Sequence, residues 1–470
     1  MRSFFIAMTR NPLSLLGTAI TTVSAILIAI LFGIELFGVL GNPYIGILAY
    51  LILPGILACG LALIPIGIVR ERRRARRAAQ RGEPELGFPI IDLNSNRTRR
   101  WLLVFIMLSV VNTVILAVAT FKGVEVMEST EFCGTTCHTV MQPEHVAHSR
   151  SPHSRVPCVK CHIGPGTDWF VKSKLSGAWQ VISVTFDLYD RPIPSPVHDL
   201  RPARETCEQC HWPSKFVGDR LKVRTHYEND EENTELKTVL MVRVGGLEGE
   251  SSKGIHWHVD PSNKIRYRSS EDRETIYEVE QTLSDGTLRT FLPADPSDKG
   301  DGSETWRTMD CIDCHNRPTH IYEMPENAVD HAIESGSIDR SLPFIRREGV
   351  RALKAEYATH DEARHEISAT VAAYYAEEYP DVAREQGEAI AQAGDALGQA
   401  YAVNVFPEMN VQWGTYPDHI GHQVSNGCFR CHDDEHATAD GDVISQDCST
   451  CHALLAMEEE DPEILGMLTD

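Results

Sequence analysis

Residues 133–166 read CGTTCHTVMQPEHVAHSRSPHSRVPCVKCHIGPG. Within this stretch, CGTTCH at 133–138 and CVKCH at 158–162 each place two cysteines shortly before a histidine. Two thiols at this spacing can add to the two vinyl groups on one edge of a porphyrin, while the next imidazole reaches the iron from one face. The stretch therefore predicts two sites of covalent haem attachment.

The same pattern recurs four more times along the chain, which has 13 cysteines. The predicted haem-attachment cysteines are Cys133, Cys137, Cys158, Cys161, Cys207, Cys210, Cys311, Cys314, Cys428, Cys431, Cys448 and Cys451. The predicted proximal iron ligands are His138, His162, His211, His315, His432 and His452. Disulfides and zinc sites do not require a histidine after every pair, so we predict six haem c groups. The first pair has one extra intervening residue, and its alternative is an unmodified thiol pair.

Each iron needs a second axial ligand, and 14 of the 20 histidines lie outside the motifs. This supply favours iron with two histidine ligands, which carries electrons and does not bind substrate. The candidate distal ligands are His153, His198, His258, His320, His422, His436 and Met141. His256 and His258 flank Trp257, and alternation on a strand would point both imidazoles to one face.

Three apolar runs, at 14–40, 43–69 and 101–121, are each long enough to cross a bilayer as a helix. The loop at 70–100 carries ten arginines, whereas the connection at 41–42 carries no charge. Because basic residues favour the cytoplasmic side, we predict that the N-terminus and this loop are cytoplasmic. The remainder, from residue 122, would then lie in the periplasm of a bacterium, anchored in its inner membrane.

Charge divides the chain in the same way. Residues 1–121 carry 12 Lys and Arg against 5 Asp and Glu, whereas residues 122–470 carry 32 against 61. A net charge of −29 on the second part disfavours nucleic acid as a partner and favours basic periplasmic cytochromes.

The predicted fold is three N-terminal transmembrane helices followed by a haem-packed, mostly α or irregular periplasmic domain with a small antiparallel β insert. Strands are predicted at 236–244, 264–268, 275–281 and 287–292. The chain is divided into a membrane region at 1–121, a three-haem segment at 122–214, a β-rich insert at 215–310, a haem motif with a helical scaffold at 311–404, and a two-haem segment with an acidic tail at 405–470.

The stretch quoted first resembles the NapC/NirT family of membrane-anchored multihaem cytochromes. Met141, shortly after the first motif, and the Ile-Gly-Pro-Gly turn at 163–166 carry this resemblance. In the family the methionine follows its motif histidine by two residues, whereas here it follows by three. With three helices and six motifs, the chain is more similar to the enlarged inner-membrane cytochromes of bacteria that respire on extracellular metals.

The resemblance implies a quinol dehydrogenase that takes menaquinol or ubiquinol from the quinone pool and passes electrons to periplasmic cytochromes or a terminal reductase. It also implies a quinol site at the first haem, and Cys133 follows Lys122, at the end of the third apolar run, by only 11 residues. Glu35, Glu131 and Glu144 are candidates for accepting quinol protons. The alternatives are a periplasmic multihaem reductase of a small nitrogen or sulfur oxyanion and a structural or sensory membrane protein. A homo-oligomer is compatible with all of them.

Overall fold

The computed structural model describes residues 11–36, 53–80, 93–136, 138–164, 167–197, 201–212, 218–245, 254–260, 263–295, 300, 302 and 304–469. The chain forms two compact units, residues 1–132 and 133–470. The first contains the apolar runs and the second contains all six cysteine pairs.

The first unit consists of three helices, α1 (Pro12–Leu36), α2 (Leu53–Ala79) and α3 (Asn96–Met127). Among the described residues these are the helices whose length and composition would allow them to cross a membrane. Each overlaps one of the three predicted runs, although residues 37–52, where the first two runs meet, lie outside the described part. Helix α2 extends ten residues beyond its run, to Ala79, so the start of the predicted arginine loop is helical. Helix α3 is longer than its apolar run at both ends, because polar residues also continue a helix readily.

Small residues bring α1 and α2 close together. A Cβ added to Gly60 would lie 2.7 Å from the hydroxyl oxygen of Thr21, and one added to Gly17 would lie 2.7 Å from the carbonyl oxygen of Gly60. Ser14 donates a hydrogen bond of 3.0 Å to the carbonyl of Ile64. Glycine, serine and threonine at a helix contact are typical of helices that pack within a bilayer, since no hydrophobic force drives helices together there.

The second unit is mostly helical. Its helices are α4 (His138–Arg150), α5 (Cys158–His162), α6 (Thr167–Thr185), α7 (Ala203–Cys207), α8 (Pro325–Glu334), α9 (Ile345–Leu353), α10 (His360–Glu378), α11 (Pro380–Glu385), α12 (Gly387–Asn404), α13 (Cys448–Cys451) and α14 (Glu463–Thr469). Helices α8 to α12 enclose its largest apolar core, in which Tyr375, Leu397 and Tyr401 are almost completely buried. This core contains none of the cysteine pairs.

Two small antiparallel sheets complete the second unit. The first has the strand order β1 (Asp219–Tyr227), β2 (Glu235–Arg243) and β7 (His452–Glu459). The second has the order β5 (Leu288–Phe291), β4 (Ile276–Thr282), β3 (Lys264–Ser269) and β6 (Arg307–Thr308). The four predicted strands correspond to β2, β3, β4 and β5, whereas β1, β6 and β7 were not predicted. Strand β7 starts at His452, the histidine of the last motif, and pairs it with Val242.

The segment with the first three motifs has little apolar core of its own. Val140 and Ala147 on α4 are buried against a small cluster that includes Tyr322 and Tyr416. In contrast, Leu175 on α6 is 70% exposed. That haems supply the missing core of this segment stays a prediction.

Candidate haem-attachment sites

Each of the five Cys-x-x-Cys-His motifs forms a single helical turn. The turns are α5, the end of α7 with the residues after it, a 3-10 turn at Cys311–Asp313, a second 3-10 turn at Gly427–Arg430, and α13. The histidine N–H bonds to the carbonyl of the first cysteine at 2.8 Å for His211, 2.9 Å for His315 and 3.0 Å for His432, and His452 makes the same bond to Cys448. Residues three and four apart on a helical turn lie on one face, so the turn presents both thiols and the imidazole to the same side.

The first motif differs in local structure. Cys133 lies in a π-helical turn, Phe132–Thr136, and His138 begins α4. Cys137 and the side chain of His138 lie outside the described residues. Gly134, inside the motif, lies directly beneath the ring of His145, which leaves no room for a Cβ. The extra residue of this motif is therefore accommodated by a wider turn.

Four motif histidines face a second imidazole from a distant part of the chain. The ring centroids are 5.9 Å apart for His211 and His153, 6.3 Å for His162 and His320, 5.8 Å for His432 and His258, and 6.3 Å for His452 and His422. Bonds from metals to imidazole nitrogen are about 2 Å long, which puts the centroids of two imidazoles on opposite sides of one iron about 6 Å apart. The spacing of all four pairs fits a shared iron.

Four of these histidines use Nδ1, and not Nε2, in the hydrogen bonds that the structure describes. The Nδ1 atom contacts a backbone carbonyl in four of them: His153 with Pro318 at 3.1 Å, His258 with Ile255 at 2.7 Å, His320 with Glu144 at 3.1 Å and His432 with Ser445 at 2.7 Å. An Nδ1–H bonded to a carbonyl fixes the tautomer in which Nε2 carries the free lone pair, as metal-binding histidines require.

His256, which the sequence places beside His258 but which was not among the predicted distal ligands, is a further candidate ligand. Residues Ile255–Val259 form a 3-10 helix and not a strand, so residues two apart do not share a face. The ring of His258 faces His432, whereas His256 lies near His315: burial lowers the pKa of His256, and the neighbouring His315 lowers it further. The two histidines therefore lie near different motif histidines, whereas alternation on a strand would have pointed both to one face.

Among the other predicted distal ligands, His436 faces no motif histidine in the described structure, whereas Met141 lies near His138, whose side chain is outside the described part. His436 is buried, with Nδ1 2.7 Å from Asp433 Oδ2 and Nε2 3.1 Å from the carbonyl oxygen of Ile276, so both ring nitrogens are engaged. Met141 lies on α4 one turn after His138, and residues three apart on a helix lie on the same side. His198 lies outside the described residues.

Comparisons with known proteins identify the family of the chain. The sequence profile of the NapC/NirT cytochrome c family, N-terminal region, matches residues 95–192. The cytochrome c-type protein ImcH of Geobacter sulfurreducens is 42% identical over 453 residues, covering 96% of this chain and 89% of that protein. The chain belongs to the NapC/NirT cytochrome c family. No solved structure matches it.

Membership of this cytochrome family implies covalently bound haem c, and the residues fit that group. No three His, Cys, Asp or Glu side chains converge on a metal site anywhere in the described part of the chain. Such a set is needed when protein side chains supply most of the ligands, but haem iron takes only its axial ligands from the protein. A cysteine pair with two facing imidazoles fits haem c whose iron has two histidine ligands.

The thiol pairs of successive motifs in this cytochrome are neighbours in space. The Cys207 thiol donates a hydrogen bond to Cys311, which raises the pKa of Cys207 and lowers the pKa of Cys311. Burial raises the pKa of Cys161, and the nearby Cys158 and Cys210 raise it further.

The fourth, fifth and sixth motifs are also close to one another in space. Burial raises the pKa of Cys314 to about 12, and the nearby Cys428 raises it further. Burial also raises the pKa of Cys451, and Cys428 again adds to the increase. Arg430, inside the fifth motif, donates a 2.8 Å hydrogen bond to the carbonyl of Asp313 in the fourth. The second to sixth motifs of this family member therefore succeed one another in space as they do along the chain.

The three carboxylates predicted for quinol chemistry have different surroundings. Glu144 on α4 is partly buried, with Oε1 3.4 Å from Arg317 Nη2 and Oε2 2.9 Å from His320 Nδ1. Burial alone would raise the pKa of Glu144, but His320 and Arg317 together hold it below its ordinary value. Glu131 is exposed at the end of the first unit. Glu35 lies in the last turn of α1, and its side chain lies outside the described residues.

Proposed function

We propose that this protein is an inner-membrane cytochrome that oxidises quinol and passes electrons through six c-type haems to periplasmic acceptors in anaerobic or metal respiration. The observation that carries the proposal is the set of facing histidine pairs. Two imidazoles occupy both axial positions of an iron, which leaves no position for a substrate and suits electron transfer. The pairs therefore favour a carrier over a reductase of small oxyanions.

The cysteines and histidines hold the cofactors in this proposal. Haem c, when bound, supplies reversible one-electron redox chemistry. His162 with His320, His211 with His153, His432 with His258 and His452 with His422 are proposed as axial pairs, and His315 with His256 as a fifth. The succession of the second to sixth motifs supports a single route through the second unit.

Quinol oxidation is proposed at the first motif. Its second cysteine, Cys137, follows the end of α3 at Met127 by ten residues, a shorter separation than for any other motif. Met141 beside His138 is the one sulfur-containing candidate ligand. Glu131 and Glu35 remain candidates for accepting the quinol protons, whereas the carboxylate of Glu144 is engaged by Arg317 and His320.

The proposed orientation places the second unit in the periplasm. Helix α2 ends with a run of arginines that includes Arg76 and Arg77 in its last turn. Positive charge next to a membrane helix favours the cytoplasmic side, and a single further crossing by α3 then leads to the periplasm. The acidic second part suits basic cytochromes as acceptors.

Anaerobic mixing of the purified protein with a menaquinol analogue tests the function, with haem reduction followed by absorbance. We expect reduction of every haem by the quinol. Substitution of His138 or Met141 should alter the spectrum of one haem and slow the reduction of all six, while dithionite still reduces the other five.

Two results would overturn the proposal. Wild-type quinol kinetics in both variants would place quinol oxidation at another site. A high-spin electron paramagnetic resonance signal that shifts with nitrite or hydroxylamine would favour a reductase, because it requires an iron with an open axial position.

A further inference from the structure

An ion pair lies directly behind one of the proposed distal ligands. Oε2 of Glu144 is 2.9 Å from Nδ1 of His320, and the carbonyl oxygen of Glu144 is 3.1 Å from the same nitrogen. Arg317 completes the group, with Nη2 3.4 Å from Oε1 of Glu144 and Nε donating a 2.9 Å hydrogen bond to the carbonyl of His320. The imidazole that faces His162 is thus held by both members of the pair.

The pair is shielded from water. The side chain of Arg317 is 9% exposed and that of Glu144 is 20% exposed. The Arg317 guanidinium lies 4.3 Å from the ring centroid of Tyr416 and 5.3 Å from that of Tyr322. Aromatic faces hold a guanidinium in place through cation–π attraction. Charges in such surroundings are screened far less than surface charges, so each acts strongly on groups a few ångströms away.

A charge next to an axial ligand changes the balance between the two oxidation states of the iron. The oxidised form has one more positive charge than the reduced form, so a nearby carboxylate stabilises it and a nearby guanidinium destabilises it. We propose that Glu144 and Arg317 are positioning residues that set the midpoint potential of the haem attached at Cys158 and Cys161, in opposite directions. The inference rests on the proposed ligation by His162 and His320, and deepens it.

Spectroelectrochemical titration of the full-length, haem-loaded protein tests the inference. Glu144→Gln should raise the midpoint potential of one haem, because a negative charge is lost beside its ligand. Arg317→Gln should lower the midpoint potential of the same haem, because the carboxylate is left without its counter-charge. Arg317→Lys keeps the positive charge, and should therefore keep the potential close to that of the wild type.

The matched control is Glu323→Gln. Glu323 also contacts an imidazole, with Oε1 2.7 Å from Nδ1 of His331, but His331 faces no motif histidine among the described ring pairs. Every midpoint potential should stay unchanged in this variant. A general loosening of the fold would not shift the midpoint potential of one haem upward in one variant and downward in the other. Opposite shifts therefore separate an electrostatic role from a structural one.

His320→Ala separates this inference from the ligation on which it rests. If His320→Ala leaves the spectrum of every haem unchanged, the proposed ligation fails and the role of Glu144 and Arg317 fails with it. If His320→Ala converts one haem to high spin, but the Glu144 and Arg317 variants shift no potential or shift it in the same direction, the inference alone is overturned.

Discussion

Among the histidines of this chain, burial does not distinguish a candidate iron ligand from a structural side chain, but hydrogen bonds at both ring nitrogens argue against ligation. His436 is among the most buried, yet Asp433 and the carbonyl of Ile276 engage both of its nitrogens. His258 and His432 use only Nδ1 in their described bonds, each to a backbone carbonyl. A ring with both nitrogens bonded within the protein cannot also bind iron without breaking a bond.

Alanine substitution of His256 and His436 tests this distinction at the residue scale. His256→Ala should convert one haem from low to high spin, because an axial ligand is removed, while His436→Ala should leave every haem low spin. Electron paramagnetic resonance of the oxidised protein measures both. A spin change in the His436 variant together with none in the His256 variant would reverse the assignment of the two residues.

Short helical turns carry the candidate sites, whereas longer elements hold those turns in place. Strand β7 begins at His452 and runs along β2, where buried Ala456 lies opposite the fully buried Val239. The Asp313 side chain inside the fourth motif is buried and accepts 2.6 Å hydrogen bonds from Tyr267 of β3 and from Arg307 of β6. Both sheets are thus tied to the motifs by specific contacts.

Glycines of α12 allow it to pack closely against α10 in the scaffold. A Cβ added to Gly394 of α12 would lie 2.9 Å from the Cα atom of Ser368 on α10, so Gly394→Ala should destabilise the protein by roughly 1–3 kcal/mol through overpacking. Gly387 begins the same helix and has open space around it, so Gly387→Ala should lower stability by less than ~0.5 kcal/mol, or raise it. Chemical denaturation followed by circular dichroism compares them. Equal losses in both variants would mean that helix propensity, and not the α10–α12 contact, sets the cost.

The number of haems is a property of the whole molecule. Mass spectrometry of the intact chain should show six haem additions, because six cysteine pairs each precede a histidine. Replacing Cys133 and Cys137 together by serine should reduce the number to five. A wild-type count of five, unchanged in this double variant, would show that the first pair is an unmodified thiol pair.

The acidic charge of the second part should speed up its association with basic partners. Electron transfer to a lysine-rich cytochrome should slow as salt is added, since attraction across the interface is screened once the Debye length falls to about 8 Å. Stopped-flow rate constants over a range of ionic strength measure the effect, and an uncharged electron acceptor serves as the control. A rate that does not vary with salt for the lysine-rich cytochrome would limit the −29 charge to a role in solubility.

The sequence alone was enough to predict the features that depend on neighbouring residues. The cysteine pairs with their histidines, the three apolar helices, strands β2 to β5 and the helices of residues 325–404 all follow from local spacing and periodicity. The family was also recognisable from residues 133–166, and the comparisons confirm it.

Only the tertiary structure decided which histidine faces which motif. His320 faces His162, although a whole sheet and two further motifs separate them along the chain. His256 was expected to point the same way as His258 on a strand, whereas the structure has a 3-10 helix there. Strand β7 was missed for a related reason, since its partner β2 lies far away in sequence. Such pairings depend on how the chain folds back on itself. The spacing of residues along the sequence does not indicate which distant residues come into contact.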